Sequence, residues 1–179
     1  MRIAHRFIGG KHNEQQPLVP EGRLRKENRV SHTYVSNLVH YIFSTKHRQK
    51  LITPELEARL WPYLGGIARE NNIKALSIGG TDDHTHRLLS LPATISIAKA
   101  IQLIKGGSSK WVQDQFRQHR DFGWQEGYGA FTIGISQVDE TIAYIQRQKE
   151  HHRKTSFQDE FLKILKKHSI EYDERYIWD

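Results

Sequence analysis

Apolar and polar positions alternate along the chain in short segments that predict β-strands. Residues 38–44 are rich in β-branched and aromatic side chains and predict the first strand. Residues 73–79 and 84–90 predict two further strands, which a turn at residues 80–83 joins into a hairpin. Residues 130–135 predict a fourth strand. The chain therefore carries enough strand segments for one small sheet.

Apolar residues three or four positions apart predict a helix after the first strand. Thr53 and Pro54 open this helix, because threonine caps a helix N-terminus and proline fits the first helical position. Pro62 lies inside it, where the missing N–H and the ring predict a kink. The residues that share the apolar face are Leu56, Leu60, Leu64 and Ile67.

Three further helix starts follow along the chain. Ser96 caps the second predicted helix, which we expect Gly106-Gly107 to break. Residues 136–139 and 156–159 each begin with serine and carry an aspartate three positions later, which resembles a capping box. They predict a third helix and a last helix.

The order strand, helix, strand, strand, helix, strand is typical of a ferredoxin-like fold. We therefore predict an α+β domain with an RRM-like antiparallel sheet, helices on one face and a C-terminal helix that follows the sheet. The other face of the sheet is expected to stay open for a site. Residues 31–179 form this single domain, and residues 1–30 are expected to be a disordered leader, a mis-assigned start or added sequence.

Charge changes the picture because the chain is basic. Its 179 residues contain 27 Lys and Arg against 20 Asp and Glu, a formal net charge of +7. This balance favours a polyanionic partner, although a basic domain that binds nothing in particular is the alternative. The absence of cysteine excludes disulfides and thiolate zinc sites. No apolar run approaches the roughly 20 residues of a membrane span, so we expect a cytosolic protein.

His84 and His86 are the first candidates for chemistry. Residues two apart on a strand point to one face, so the two imidazoles lie side by side and can hold one divalent metal ion. Asp82 and Asp83 precede them and are either outer partners of the imidazoles or plain turn residues. The alternative for the histidines is two surface side chains on a polar strand.

Tyr144 and Gln148 are the second pair of candidates. A four-residue step on the predicted third helix places them on one face, so a phenol and an amide oxygen can approach the same ion. Imidazole and amide ligands with water and phosphate oxygens suit Mg²⁺ or Mn²⁺. The combination favours metal-assisted phosphoryl transfer with tyrosine as nucleophile. A half-buried structural tyrosine is the alternative.

Several segments together resemble one known family, the single-tyrosine transposases of the His-hydrophobic-His (HUH) superfamily. These are the small transposases of the simplest bacterial insertion sequences and their repeat-associated relatives. The resemblance runs from about Leu38 to Trp178, nearly the whole domain. Its segments are Phe43–Arg48, Ile78–His84, Lys105–Trp111, Trp124–Phe131, Tyr144–His152 and Tyr172–Tyr176.

The resemblance implies a role for each candidate residue. His84 and His86 match the paired metal ligands, Gln148 the third ligand and Tyr144 the nucleophile. Enzymes of this family cut single-stranded DNA, leave a 5′-phosphotyrosine and a free 3′-hydroxyl, and rejoin strands without ATP. They recognise imperfect hairpins near the element ends. They are homodimers in which the tyrosine helix of one subunit commonly completes the histidine site of the other.

Two positions depart from the family pattern. Thr85 stands between the histidines, where a bulky apolar residue is usual, and Arg87 follows the second histidine, where an apolar residue is usual. Both face the side of the sheet that the helices are expected to cover, where an unpaired charge is costly. A decayed or repurposed copy that binds nucleic acid without cutting is therefore the alternative function. A third reading is a metal-dependent hydrolase in which the histidines activate water and the tyrosine is structural.

Basic residues and one tryptophan are candidates for DNA contact. Exposed cations attract phosphates, and an aromatic ring offers a stacking platform for bases. Solvated surface charge and a core tryptophan are the alternatives. The candidates are Lys46, Arg48, Lys105, Lys110, Trp111 and Arg153.

Overall fold

The computed structural model describes residues 34–178, and the predicted leader lies outside them. Within this range no helix is both long and apolar enough to cross a lipid bilayer. Short 3₁₀ turns occupy Lys46–Arg48, Arg117–His119 and Ile135–Gln137. The strands and helices are β1 (Leu38–Ser44), α1 (Pro54–Glu70), β2 (Lys74–Gly80), β3 (His84–Ser90), α2 (Ile97–Gln115), β4 (Gly129–Thr132), α3 (Val138–Gln146), α4 (Gln148–His151) and α5 (Phe157–Lys167).

The four strands form one antiparallel sheet in the order β2-β3-β1-β4. The hairpin predicted between the second and third strands is present, and β1 lies between β3 and β4. In the register of the two central strands, Ile42 is opposite His86 and His40 is opposite Leu88. This order and pairing confirm the predicted α+β, ferredoxin-like fold.

Helices α1 and α2 cover one face of the sheet and form the larger core with it. Val39, Tyr41 and Phe43 of β1 and Leu89 of β3 point into this core. The predicted apolar face of α1 is confirmed, because Leu56, Leu60 and Leu64 are fully buried and Ile67 nearly so. Burying each such side chain contributes about 1.5–3 kcal/mol, so this layer holds α1 against the sheet.

Both helices continue through the residues expected to disturb them. Helix α1 runs past Pro62, whose ring is exposed to solvent. Helix α2 runs past Gly106-Gly107, so the predicted break is wrong. A Cβ placed on Gly107 would lie 3.1 Å from the side chain of Ile67. The glycine therefore lets α1 and α2 approach each other closely, and this packing outweighs its low helix propensity.

The connection from β4 to α3 differs from the prediction in its detail. Strand β4 ends at Thr132, three residues before the predicted end. The predicted capping box at residues 136–139 is wrong, because the side chain of Gln137 accepts a hydrogen bond from the Gly134 N–H at 2.9 Å. This contact closes a 3₁₀ turn that leads directly into α3.

The second face of the sheet is covered, although it was expected to be open. Phe157, Phe161 and Leu165 of α5 pack with Ile42 and Phe131 of the sheet in a second core. The predicted cap of this helix is confirmed, since Ser156 Oγ accepts from the Asp159 N–H at 3.1 Å. The stripe of apolar residues at four-residue steps explains why α5 lies on the sheet. Helix α5 therefore covers the face that carries His84 and His86.

Candidate active site

His84 and His86 lie on the face of β3 that points away from α1 and α2. Their side chains are 1% and 0% exposed, so the alternative of two surface histidines is wrong. The ring centroids are 5.3 Å apart, as the two-residue spacing on a strand predicts. The strand therefore presents two buried imidazoles side by side beneath the C-terminal helices.

Hydrogen bonds fix the protonation of His84. Its Nδ1 lies 2.6 Å from Asp83 Oδ1 and 2.8 Å from Thr81 Oγ1. Because a carboxylate only accepts, Nδ1 carries a proton, and in the neutral ring Nε2 would present a lone pair. Burial raises the pKa of Asp83, but the hydrogen bond and charge of His84, with the hydrogen bond of Thr81, together outweigh burial, and the net shift is downward. Asp83 is thus an outer partner of the imidazole, whereas Asp82 pairs with Lys50 at 3.2 Å.

His86 is held by a histidine that the sequence analysis did not single out. Its Nδ1 lies 3.1 Å from Nε2 of His40 on β1. Burial lowers the pKa of His86 to about 4 and that of His40 to about 3, so both imidazoles are neutral at pH 7. Among residues 34–178, no group makes a hydrogen bond to His86 Nε2, which lies 3.2 Å from Glu160 Oε2. A buried nitrogen is therefore left available as a ligand.

Tyr144 and Gln148 lie on two separate helices, whereas their spacing predicted a single continuous helix. Helix α3 ends at Gln146, Arg147 leaves the helical conformation with φ −97° and ψ 14°, and α4 begins at Gln148. The two side chains still converge, because both donate to Oε1 of Glu160, Gln148 at 3.0 Å. Burial, followed by the negative charge of Glu160, raises the pKa of Tyr144 above its ordinary value.

Glu160 is the central residue that sequence reasoning missed. It is 2% exposed, and its Oε2 lies 3.1 Å from His152 Nε2. Burial alone would raise the pKa of Glu160, but His152 and then His86 outweigh it and hold this pKa well below its usual range. The available signal was a carboxylate within the apolar stripe of α5, three residues after Phe157.

The donor atoms of this face fit a divalent metal ion. Gln148 gives its N–H group to Glu160, so its Oε1 turns toward His84 Nε2 at 3.3 Å. When His84 Nε2 carries a proton it donates to Gln148 Oε1; without that proton both atoms offer lone pairs, and a divalent cation between them would bind both. The structure thus brings together the four predicted residues His84, His86, Gln148 and Tyr144. Three residues that were not predicted, His40, His152 and Glu160, lie in the same cluster.

Three of the predicted DNA-contact residues lie on the side of the sheet that faces α1 and α2. Lys105 Nζ donates to the backbone carbonyls of residues 125–127, at 2.8 Å for Glu126. Lys110 pairs with Asp114 at 3.1 Å. Trp111 stacks on Tyr63 with ring centroids 4.2 Å apart and contributes to the packing of α1 on α2. These three residues lie across the sheet from His84.

The other three candidates lie outside the α1–α2 layer. Lys46 and Arg153 are exposed, and Arg153 lines a cleft of 410 Å³ with Lys149 and His152. Arg48 donates from Nη1 to the carbonyl of Trp178 at 2.6 Å and so ties down the C-terminal segment. Arg153 is thus the predicted DNA-contact residue that lies beside the histidine cluster.

Comparison with known proteins identifies the class of protein that carries this sheet and its buried histidines as the tyrosine transposases. Residues 33–148 match the family described as "Transposase IS200 like", and the chain belongs to this family. Over 130 residues it is 27% identical to the protein named "Transposase for insertion sequence element IS200" from Salmonella typhimurium. The match covers 69% of this chain and 84% of that protein. The Salmonella typhi protein of the same name matches equally.

Two solved structures share the fold. A putative transposase from Deinococcus radiodurans superposes with a TM-score of 0.53 at 22% identity, over 66% of this chain and 95% of that one. A structure titled "REP associates tyrosine transposase bound to a REP hairpin" gives a TM-score of 0.51 at 13% identity, over 68% and 72% of the two chains. At these identities the likeness shows the fold.

Proposed function

We propose that this transposase cuts and rejoins single-stranded DNA through Tyr144. His84, His86 and Gln148 hold Mg²⁺ or Mn²⁺ in this proposal. The observation that supports it best is the convergence of the Tyr144 hydroxyl and the Gln148 amide on Glu160, whose other oxygen lies 3.2 Å from His86 Nε2. A nucleophile and a set of metal donors are thus neighbours in one buried cluster.

The reaction transfers a DNA phosphate to the phenol. The oxygen of Tyr144 attacks phosphorus, the bond from phosphorus to the 3′ oxygen breaks, and the phenolic proton ends on the released 3′-hydroxyl. The 5′-phosphotyrosine keeps the energy of the broken ester, so attack by a 3′-hydroxyl rejoins strands without ATP. Bound metal would polarise the phosphate and offset the raised pKa of Tyr144.

Two clefts that Tyr144 lines offer a path for the DNA backbone. One has a volume of 340 Å³ and also contains Arg147 and Lys154, which are exposed cations. The other, of 260 Å³, contains His40 and Lys167. Cations beside the nucleophile attract the phosphate that is to be cut. The repeat-associated relative was solved with a REP hairpin, which supports a DNA hairpin as the substrate here.

The homodimer implied by the resemblance stays a proposal, and the structure bears on where the tyrosine acts. Within one chain the rings of Tyr144 and His86 are 5.8 Å apart. One chain can therefore supply both the tyrosine and the histidines of a site, and we propose action within a subunit. Mixing Tyr144→Phe with His84→Ala protein should then restore no cleavage, and recovery of activity in the mixture would favour a shared site.

The test uses hairpin DNA from the regions that flank the gene. Labelled single strands are incubated with the protein and Mn²⁺ and then separated on a denaturing gel. We expect a covalent adduct with the parental protein and with the control Tyr128→Phe, but none with Tyr144→Phe. Hairpin binding should persist in all three, because removing one hydroxyl leaves the packing unchanged.

The same gel separates the alternative functions. Parental protein that binds the hairpin without forming an adduct or cutting would favour a binding protein. Cutting without an adduct would favour the hydrolase, with Tyr144 in a structural role. An adduct that persists in Tyr144→Phe would assign the chemistry to another residue.

A further inference from the structure

His152 and Glu160 belong to the same buried cluster but lie beyond residues 33–148, where the family match ends. The geometry points to a four-residue transition-metal site formed by His84, His86, His152 and Glu160. This inference rests on the metal site of the proposed function; it keeps the two strand histidines and takes His152 and Glu160, in place of Gln148, as the other ligands. The segment after α3 then supplies half of the protein donors.

The positions of the four donor atoms carry the inference. Their ligand atoms all lie within 4.8 Å of one another. From Glu160 Oε2, the Nε2 atoms of His152, His86 and His84 lie at 3.1, 3.2 and 3.8 Å. Neighbouring ligands in a tetrahedral site with metal bonds of about 2.0–2.1 Å are separated by about 3.3 Å. These donor spacings are those of ligands that share one metal ion.

The hydrogen bonds around the cluster direct its donor atoms inward. His152 Nδ1 lies 2.8 Å from the carbonyl oxygen of Thr155, which only accepts, so Nδ1 carries a proton. His152 Nε2 donates to Glu160 Oε2 at 3.1 Å, and a bound metal ion would replace that proton and take both atoms as ligands. The other oxygen of Glu160 already accepts from Tyr144 and Gln148, so Oε2 is the oxygen available to a cation.

The donor types select the class of metal. Three imidazoles and one carboxylate suit borderline ions such as Co²⁺ and Zn²⁺, with Mn²⁺ bound less tightly. Mg²⁺ prefers oxygen ligands and retains several waters, which this cluster has little room to accept, since Glu160 and both strand histidines are at most 2% exposed. The site should therefore bind Mn²⁺ or Zn²⁺ far more tightly than Mg²⁺.

Glu160 also connects the metal site to Tyr144. One oxygen faces the imidazoles while the other accepts the hydrogen bond of the phenol. As a ligand, Glu160 would hold the Tyr144 hydroxyl beside the ion and so act as a positioning residue. Tyr144→Phe should weaken metal affinity by no more than the 10–100-fold typical of outer partners, because the phenol contacts Glu160 but is not itself among the ligands.

Binding of Co²⁺ to the full chain, followed by visible absorption, tests the inference without any DNA. We expect the parental protein to bind one Co²⁺ that Zn²⁺ displaces at equal concentration and Mg²⁺ only in large excess. His152→Ala and Glu160→Gln should weaken binding by about 100-fold or more, beyond the 10–100-fold typical of outer partners. The matched controls are His151→Ala and Glu150→Gln, which change neighbouring side chains of the same types.

The outcomes separate this inference from the proposed function. If His84→Ala abolishes Co²⁺ binding while His152→Ala and Glu160→Gln bind like the parent, the added ligands are wrong and the metal site of the proposed function stands. If the parent binds no Co²⁺, the metal dependence itself is wrong. Thermal unfolding in EDTA verifies that each variant is folded. Should Glu160→Gln be unfolded, the pair His152→Ala and His151→Ala decides.

Discussion

The two faces of β3 bury polar side chains in different ways. On one face, His84 and His86 are surrounded by groups that complement them, since each ring nitrogen faces Asp83, Gln148, His40 or Glu160. On the other face, Arg87 is fully buried among the apolar residues under α1 and α2. Because side chains alternate between the two faces of a strand, the hydrogen-bonded histidines and the isolated charge of Arg87 lie within 3 residues of each other on β3.

The isolated charge of Arg87 has little compensation. Its Nη2 donates to Thr85 Oγ1 at 3.1 Å, and its guanidinium lies 4.0 Å from the centroid of Phe43. Within the described part of the chain, its Nε and Nη1 make no hydrogen bond. Burial lowers the pKa of Arg87, which reflects the cost of keeping its charge there. The comparison teaches that buried polar groups have polar partners on one face of the strand and oppose stability on the other.

The largest effect is expected when substitutions at two adjacent residues, which lie on opposite faces of β3, are compared. His86→Ala should abolish metal-dependent cleavage, because it removes one of the buried metal donors, while hairpin binding is retained. Thr85→Val, one residue away but on the other face, should keep the cleavage rate of the folded protein within a few-fold of the parent. Rates are measured on labelled hairpin DNA with Mn²⁺. Equal losses in both variants would show that the faces do not differ in function.

A smaller effect is expected from replacing Arg87, and this effect is a gain in the free energy of unfolding. Arg87→Met should raise the free energy of unfolding by about 1–2 kcal/mol, because it removes unpaired donors that cost about 1–3 kcal/mol each and loses one cation–π contact. Thermal unfolding should shift upward by about 2–4 °C for each kcal/mol. Cleavage should not fall. A less stable Arg87→Met protein would mean that the guanidinium is better compensated than its contacts indicate.

The smallest effect concerns the helix caps of the two layers. Ser156→Ala and Ser96→Ala each remove a side-chain acceptor for an N-terminal N–H, at a cost of about 1 kcal/mol in the free energy of unfolding. Only Ser156 caps the helix that carries Glu160. Denaturant unfolding should therefore show similar losses, whereas Co²⁺ binding should weaken in Ser156→Ala alone. Equal metal affinity in the two variants would show that α5 does not contribute to metal binding.

Local patterns in the sequence were sufficient to predict the sheet and its helical layer. The β-branched run of residues 38–44 gave a strand with the predicted bounds, and the Thr53-Pro54 and Ser96 caps start α1 and α2 as expected. The position of His84 and His86 side by side on one face of β3 followed from the period of a strand. These features depend on neighbours in the chain, so propensity and spacing are enough to predict them.

Features that depend on distant contacts were not predictable in the same way. The intact helix at Gly106-Gly107 results from close packing against Ile67, which no local pattern reveals. The roles of His40 and Glu160 require β1 and α5 to be docked on the histidine face. The break at Arg147 likewise lies in a segment whose spacing predicts a continuous helix. Tertiary packing decided each of these points.

The most direct test of the account locates the covalent bond itself. Parental protein is reacted with hairpin DNA and Mn²⁺, the DNA is trimmed with nuclease, and tryptic peptides are sequenced by mass spectrometry. Trypsin releases residues 121–147 as one peptide that contains both Tyr128 and Tyr144, so fragmentation must assign the modified tyrosine. We predict a 5′-nucleotide on Tyr144. A nucleotide on Tyr128, or on a peptide outside residues 121–147, would contradict the assignment of the histidine face of β3 as the catalytic site.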